Sequence, residues 1–186
     1  DVRYAGLVPE HCKMLLGPEH ALLREEFYEA KKHLRKRDGT IKNILVFYGG
    51  SDLTNETEKA IEALVQLHDE GYNFTADVIT GVSNSRREKM KKLCSKYQFL
   101  HYYCQISNMA EFMNKADLML GAGGSTTWER LYMELPALVT AVAENQIQGC
   151  EDCCKAGMIN YLGKAENATV EIIREAINQM PLLIED

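Results

Sequence analysis

The stretch DLMLGAGGSTTWERL, Asp117–Leu131, decides how the rest of the chain is read. Asp117–Leu120 is a short apolar run of the kind that forms a strand. Gly121, Gly123 and Gly124 follow, with Ser125, Thr126 and Thr127, and then Thr126–Met133 carries a helical pattern that stops at Leu135-Pro136. Strand, glycine loop and helix in succession form the unit from which doubly wound sheets are built. Working outward, the same rhythm recurs on both sides.

Upstream, Asn43–Tyr48 (NILVFY) is a continuous apolar run closed by Gly49-Gly50, as expected of a strand buried on both faces. Ser51–Asn55 offers helix caps, and Thr57–Asp69 has apolar residues at helical spacing. Phe74–Thr80 reads as a second strand, Ser85–Tyr97 as a charged helix, Phe99–Cys104 as a third strand and Met109–Lys115 as a brief helix. Downstream, Ala137–Val142 and Ile159–Leu162 read as strands, with helices at Gln146–Lys155 and Val170–Met180. Six strands alternating with helices predict an α/β, Rossmann-like, doubly wound six-stranded parallel sheet. Residues 40–186 form this domain. Residues 1–39 lack the rhythm and read as an interdomain connector with an amphipathic helix over Leu22–Arg37.

Bulk properties narrow the function. The chain has 186 residues, 46% of them hydrophobic, which is enough for one substantial core. No apolar run reaches the about 18 residues that a membrane span needs, and no targeting segment is visible, so a cytoplasmic protein is expected. The chain begins at Asp1 and reads as part of a longer protein. A net charge of −6 argues against a nucleic-acid partner. The basic run Lys31–Arg37 follows acidic Glu25, Glu26 and Glu29 and reads as a solvated helix end. The cysteines, three of them bunched at Cys150, Cys153 and Cys154, read as reduced thiols, and no metal-ligand spacing accompanies them.

In an open parallel sheet, ligands sit beyond the carboxyl ends of the strands. Two glycine loops lie there, Gly49-Gly50-Ser51-Asp52 and Gly121–Thr126. A strand order of 3-2-1-4-5-6 would make their strands neighbours and turn both loops to one crevice. Glycines allow backbone N–H groups to approach a diphosphate, and Ser125, Thr126 and Thr127 add hydroxyls at a helix start. Neither the Walker pattern nor a dinucleotide fingerprint is present, and neither cofactor nor metal is expected. A carboxylate at Glu129 is unfavourable beside a diphosphate unless it has another task, and hydrogen bonding to ribose hydroxyls supplies one. A stabilising place in the helix dipole would also explain it. Glu144-Asn145-Gln146, after the fifth strand, suits sugar hydroxyls or a helix cap equally well. Trp128 reads as packing in the core behind the loop.

The blocks LLGPEHALLREEF (Leu15–Phe27), GGSD, GAGGSTTWERL and LPALVTAVAENQ (Leu135–Gln146) resemble the C-terminal half of the PseG family. Its members are UDP-2,4-diacetamido-2,4,6-trideoxy-β-L-altropyranose hydrolases of pseudaminic acid biosynthesis, with spore-coat polysaccharide proteins as relatives and MurG glycosyltransferases further off. The resemblance implies the C-terminal half of a GT-B fold, with UDP or a UDP-sugar and the protein's own N-terminal domain as partners. Gly123, Gly124, Ser125 and Thr126 would meet the diphosphate, Glu129 the ribose, and Glu144, Asn145 and Gln146 the sugar or its diphosphate. Gly49, Gly50, Ser51 and Asp52 would wall the cleft. The implied reaction is inverting hydrolysis at the anomeric carbon, with its general base in the N-terminal domain. A MurG-like transferase and a non-catalytic nucleotide-sugar-binding module remain the alternatives.

Overall fold

The computed structural model describes Tyr4, residues 6–15 and residues 17–180. Strands β1 (Asn43–Phe47), β2 (Thr75–Thr80), β3 (Leu100–Cys104), β4 (Leu118–Ala122), β5 (Ala137–Ala141) and β6 (Asn160–Lys164) form one sheet in the order β3-β2-β1-β4-β5-β6. Every neighbouring pair is parallel. The expected fold class and strand order are those of the structure.

Alternating side chains explain why the central strands β1, β4 and β5 are mostly apolar. Ile44 and Val46 of β1, Leu118 and Leu120 of β4, and Leu138 of β5 enter one core. There they meet α2 (Glu56–Asp69), α3 (Arg87–Cys94) and α7 (Val170–Asn178). Leu45, Met119, Val139 and Ala141 point the other way, toward α1 (Glu25–Lys31), α4 (Met109–Lys115), α5 (Thr126–Tyr132) and α6 (Glu144–Lys155). A strand sandwiched between two helical layers has no solvent face to make polar.

The N-terminal region departs from expectation. The helix spans Glu25–Lys31 and not Leu22–Arg37, and it ends in successive turns from Lys32, His33 and Leu34. Leu22 is 99% exposed, whereas Phe27 is fully buried in the second core. The basic run is not a solvated helix end. Arg35 donates to the carbonyls of Asn114 and Ala116 and pairs with Asp117. Arg37 donates to the carbonyls of Met113 and Ala116. These are the carbonyls that α4 leaves without partners at its C-terminus, and the guanidinium forks close them. Residues 23–37 thus pack onto this domain. Among the described residues, no helix is long and apolar enough to cross a membrane.

Candidate functional site

The register Phe47↔Gly121 brings the ends of β1 and β4 side by side. Their loops open on one cavity of about 330 Å³ lined by Gly50, Thr80, Gly81, Gln105, Ile106, Ser125, Thr126 and Glu129. Its floor depends on Gly81. A Cβ there would stand 2.6 Å from both Cα and the carbonyl oxygen of Gly50, so only glycine lets the β1 and β2 loops touch. Ser83 Oγ fastens the contact by donating to the Gly50 carbonyl at 2.9 Å.

The two glycine loops differ in what they leave free. After β1, Gly49 takes a left-handed φ of 89°, and the chain turns into the cavity wall at Gly50. Ser51 is exposed, but Asp52 is only 4% exposed and faces inward. Its Oδ1 accepts from the Glu56 N–H and its Oδ2 from the Thr57 N–H, both at 2.9 Å. The carboxylate therefore caps α2, and these two donors are closed to any ligand.

After β4, the loop is open. Ser125 makes no side-chain cap, and among the described residues nothing accepts from the backbone N–H groups of Gly124, Ser125 or Thr126. The adjacent glycines have different tasks. A Cβ on Gly123 would lie 2.1 Å from Cys150 Sγ, so Gly123 is required for packing α6 against the loop. A Cβ on Gly124 would meet only Gln146 Nε2, at 3.6 Å.

Glu129 reaches the cavity from the first turn of α5, with its side chain 14% exposed. Its Oε1 accepts from Arg24 Nε at 2.9 Å, and Arg24 also pairs with Glu26 at 2.7 Å. The hydrogen bond to Glu129 holds the Arg24 guanidinium above its usual pKa despite partial burial. Arg24 is half exposed, and such a pair contributes at most about 1 kcal/mol. Ligand hydroxyls can replace it at small cost.

The third predicted group divides. Gln146 Oε1 accepts from the Val142 N–H at 3.0 Å, which turns its Nε2 toward Gly124. Gln146 and Asn145 line a second cavity of about 190 Å³ with Gly123, Gly124, Thr127 and Trp128. Trp128 is 37% exposed on that wall and is not core packing, because α5 turns Thr127 and Arg130 inward instead. Glu144 stands apart, on a third cavity of about 390 Å³, 3.7 Å from Lys164. A further cavity, about 560 Å³, opens at the opposite ends of β5 and β6, around Pro136 and Asn160. It lies away from the carboxyl ends where this fold binds ligands.

Arg24, Gln105 and Ile106 were not singled out as site residues. Arg24 lies within the quoted block Leu15–Phe27, but its partner Glu129 is 105 positions away and no local spacing announces the pair. Gln105 adopts a left-handed φ of 56° at the end of β3, and no local pattern marks that turn.

A six-stranded parallel sheet in this order is Rossmann-like, and its match to known proteins is with the C-terminal domains of GT-B glycosyltransferases. The crystal structure of MurG from Acinetobacter baumannii matches over 93% of this chain and 48% of that chain, with a TM-score of 0.61 and 17% sequence identity. Residues 44–179 match the glycosyltransferase family 28 C-terminal domain, and the chain belongs to that family. An uncharacterized protein of Methanocaldococcus jannaschii is 33% identical over 75% of this chain and 29% of its own length. The UDP-2,4-diacetamido-2,4,6-trideoxy-beta-L-altropyranose hydrolase of Campylobacter jejuni is 24% identical over 77% of this chain and 49% of its own. A spore coat polysaccharide biosynthesis protein of Bacillus subtilis is 26% identical over 89% and 48%. The chain thus spans less than half the length of each of these relatives. The resemblance read from the sequence blocks names the same kinds of protein.

Proposed function

We propose that the chain is the donor-binding half of an enzyme that splits a UDP-sugar, with UDP held where the β1 and β4 loops meet. One observation carries this reading: a carboxylate, Glu129, at the mouth of a cavity of about 330 Å³, one turn beyond three backbone N–H groups that the protein leaves open. The diphosphate would lie on the N–H groups of Gly124, Ser125 and Thr126, where the helix start favours negative charge. Glu129 would exchange Arg24 for the two ribose hydroxyls. The base would enter the cavity between Gly81 and Ile106, and the sugar would extend toward Gln146 Nε2 and Asn145.

In the reaction so inferred, water attacks the anomeric carbon and the bond from that carbon to the diphosphate oxygen breaks. The electron pair leaves with UDP. The loop's N–H groups gain most from the charge that builds on the departing oxygen, so they favour the transition state over the bound substrate. The water's proton passes to a base that we assign to the relatives' other half. The C. jejuni hydrolase supports water as the acceptor. The family's own description as a glycosyltransferase domain supports the second reading, transfer of the same sugar to an alcohol.

Calorimetric titration of the chain with UDP, CDP and NADH tests the site. The expected result is binding of UDP and none of NADH. Binding of NADH in preference to UDP would overturn the reading.

A further inference from the structure

Arg130 is the largest fully buried side chain among the described residues, 0% exposed, and it lies one residue beyond Glu129. Its Nη2 donates to Thr127 Oγ1 at 3.2 Å, while Nε and Nη1 have no acceptor. Nη1 stands 3.6 Å from where a Cβ on Gly121 would be. The guanidinium therefore underlies the glycine loop from its first residue to the helix it leads into. The ionisable groups facing it from α6 are the thiols of Cys150 and Cys153. Burial pushes the Cys150 thiol up to about 11 and raises that of Cys153, so both are neutral at pH 7. Burial also draws Arg130 down to about 10, which leaves it protonated at pH 7.

A buried cation with neither counter-ion nor a full set of acceptors is costly, and an apolar side chain of similar volume would pack here without that cost. Structural arginines elsewhere in this chain behave differently, since Arg35 and Arg37 spend their donors on carbonyls. Stability does not account for Arg130. Its one hydrogen-bond partner, Thr127, lines the cavity beside Gly124, and the neighbouring N–H groups of Gly124, Ser125 and Thr126 are open.

We propose that Arg130 is a positioning residue for the anion. Its buried charge is the counter-charge of a diphosphate held on the Gly124–Thr126 loop, and it acts through the loop and the Thr127 hydroxyl without touching the ligand. This inference rests on the proposed donor site, which it deepens. In a water-poor interior, such a charge attracts an anion a few ångströms beyond it more strongly than an exposed one could. It also explains how a chain of net charge −6 can present a local attraction for diphosphate without exposed lysines at the loop.

The test is titration of wild-type chain, Arg130→Met, Arg130→Gln and Arg130→Lys with UDP, inorganic diphosphate and uridine, beside thermal unfolding of each. Met and Gln remove the charge and should weaken UDP and inorganic diphosphate by about tenfold or more, leaving uridine unchanged. Lys should retain more diphosphate affinity than either. The unfolding temperature of the Met variant should not fall. Gln serves if Met does not fold. Unchanged diphosphate affinity in a folded neutral variant overturns the proposal, as does a loss of uridine equal to that of UDP. Wild-type chain that takes inorganic diphosphate but not UDP would sink the nucleotide reading alone. Binding of neither would sink both.

Discussion

Two glycine loops leave neighbouring strands of one sheet, and they end in opposite states. In the β1 loop, Asp52 turns its carboxylate onto the N–H groups of Glu56 and Thr57 and seals the start of α2. In the β4 loop, Ser125 caps nothing, and the start of α5 stays open beside Glu129. Composition does not separate them, since each pairs glycines with a serine. The difference lies in one side chain that is long enough and acidic enough to take the helix's own donors. Of the two loops, only the β4 loop leaves the donors at the start of its helix open.

That contrast can be broken or sharpened by substitution. Glu129→Ala should have the largest effect, weakening UDP by about 1.5–3 kcal/mol because hydrogen bonds to a charged group are lost. Inorganic diphosphate, which has no ribose, should be nearly unaffected, and calorimetry on both ligands checks this. Equal losses would place the ribose elsewhere.

Next in size is Gly123→Ala. Its Cβ would be driven against Cys150 Sγ, 2.1 Å away, and should cost about 1–3 kcal/mol of stability in thermal or urea unfolding. Gly124→Ala meets only Gln146 Nε2 at 3.6 Å and should stay within about 0.5 kcal/mol of wild type. Gly124→Val should nonetheless impair UDP binding, since bulk there obstructs the open donors. Similar destabilisation at both glycines would mean that the whole loop serves packing.

Asp52→Ala removes the seal and should cost about 0.5–2 kcal/mol of stability. Diphosphate affinity of the folded protein should be unchanged. An affinity loss there would move the anion to the β1 loop. Ser125→Ala should be the mildest, within about 0.5 kcal/mol in stability because the hydroxyl caps nothing. A small drop in diphosphate affinity without loss of stability would match a hydroxyl that serves the ligand.

The sheet was readable because burial on both faces makes its strands continuous apolar runs, and Asn43–Phe47 shows this most plainly. The crevice was readable for a topological reason, since strand order alone brings the β1 and β4 exits together. What escaped depends on where side chains turn. Asp52 was counted with its glycine loop because nothing local says whether a cap faces the helix or the cleft. Arg24 and Arg35 act on partners far away in sequence; Arg24 was not singled out, and the run containing Arg35 read as a solvated helix end. Trp128 and Arg130 reversed the ordinary hydropathy rule: the indole is on a cavity wall and the guanidinium is in the core. Hydropathy predicts burial well for the apolar strands and poorly for these two residues of α5.

The most direct measurement is backbone amide NMR of the chain during titration with UDP. Large shifts at the N–H groups of Gly124, Ser125 and Thr126, with those of Glu56 and Thr57 unmoved, are what an open β4 loop beside a sealed β1 loop predicts. Shifts concentrated at Gly49–Thr57 with the β4 loop silent would contradict the account.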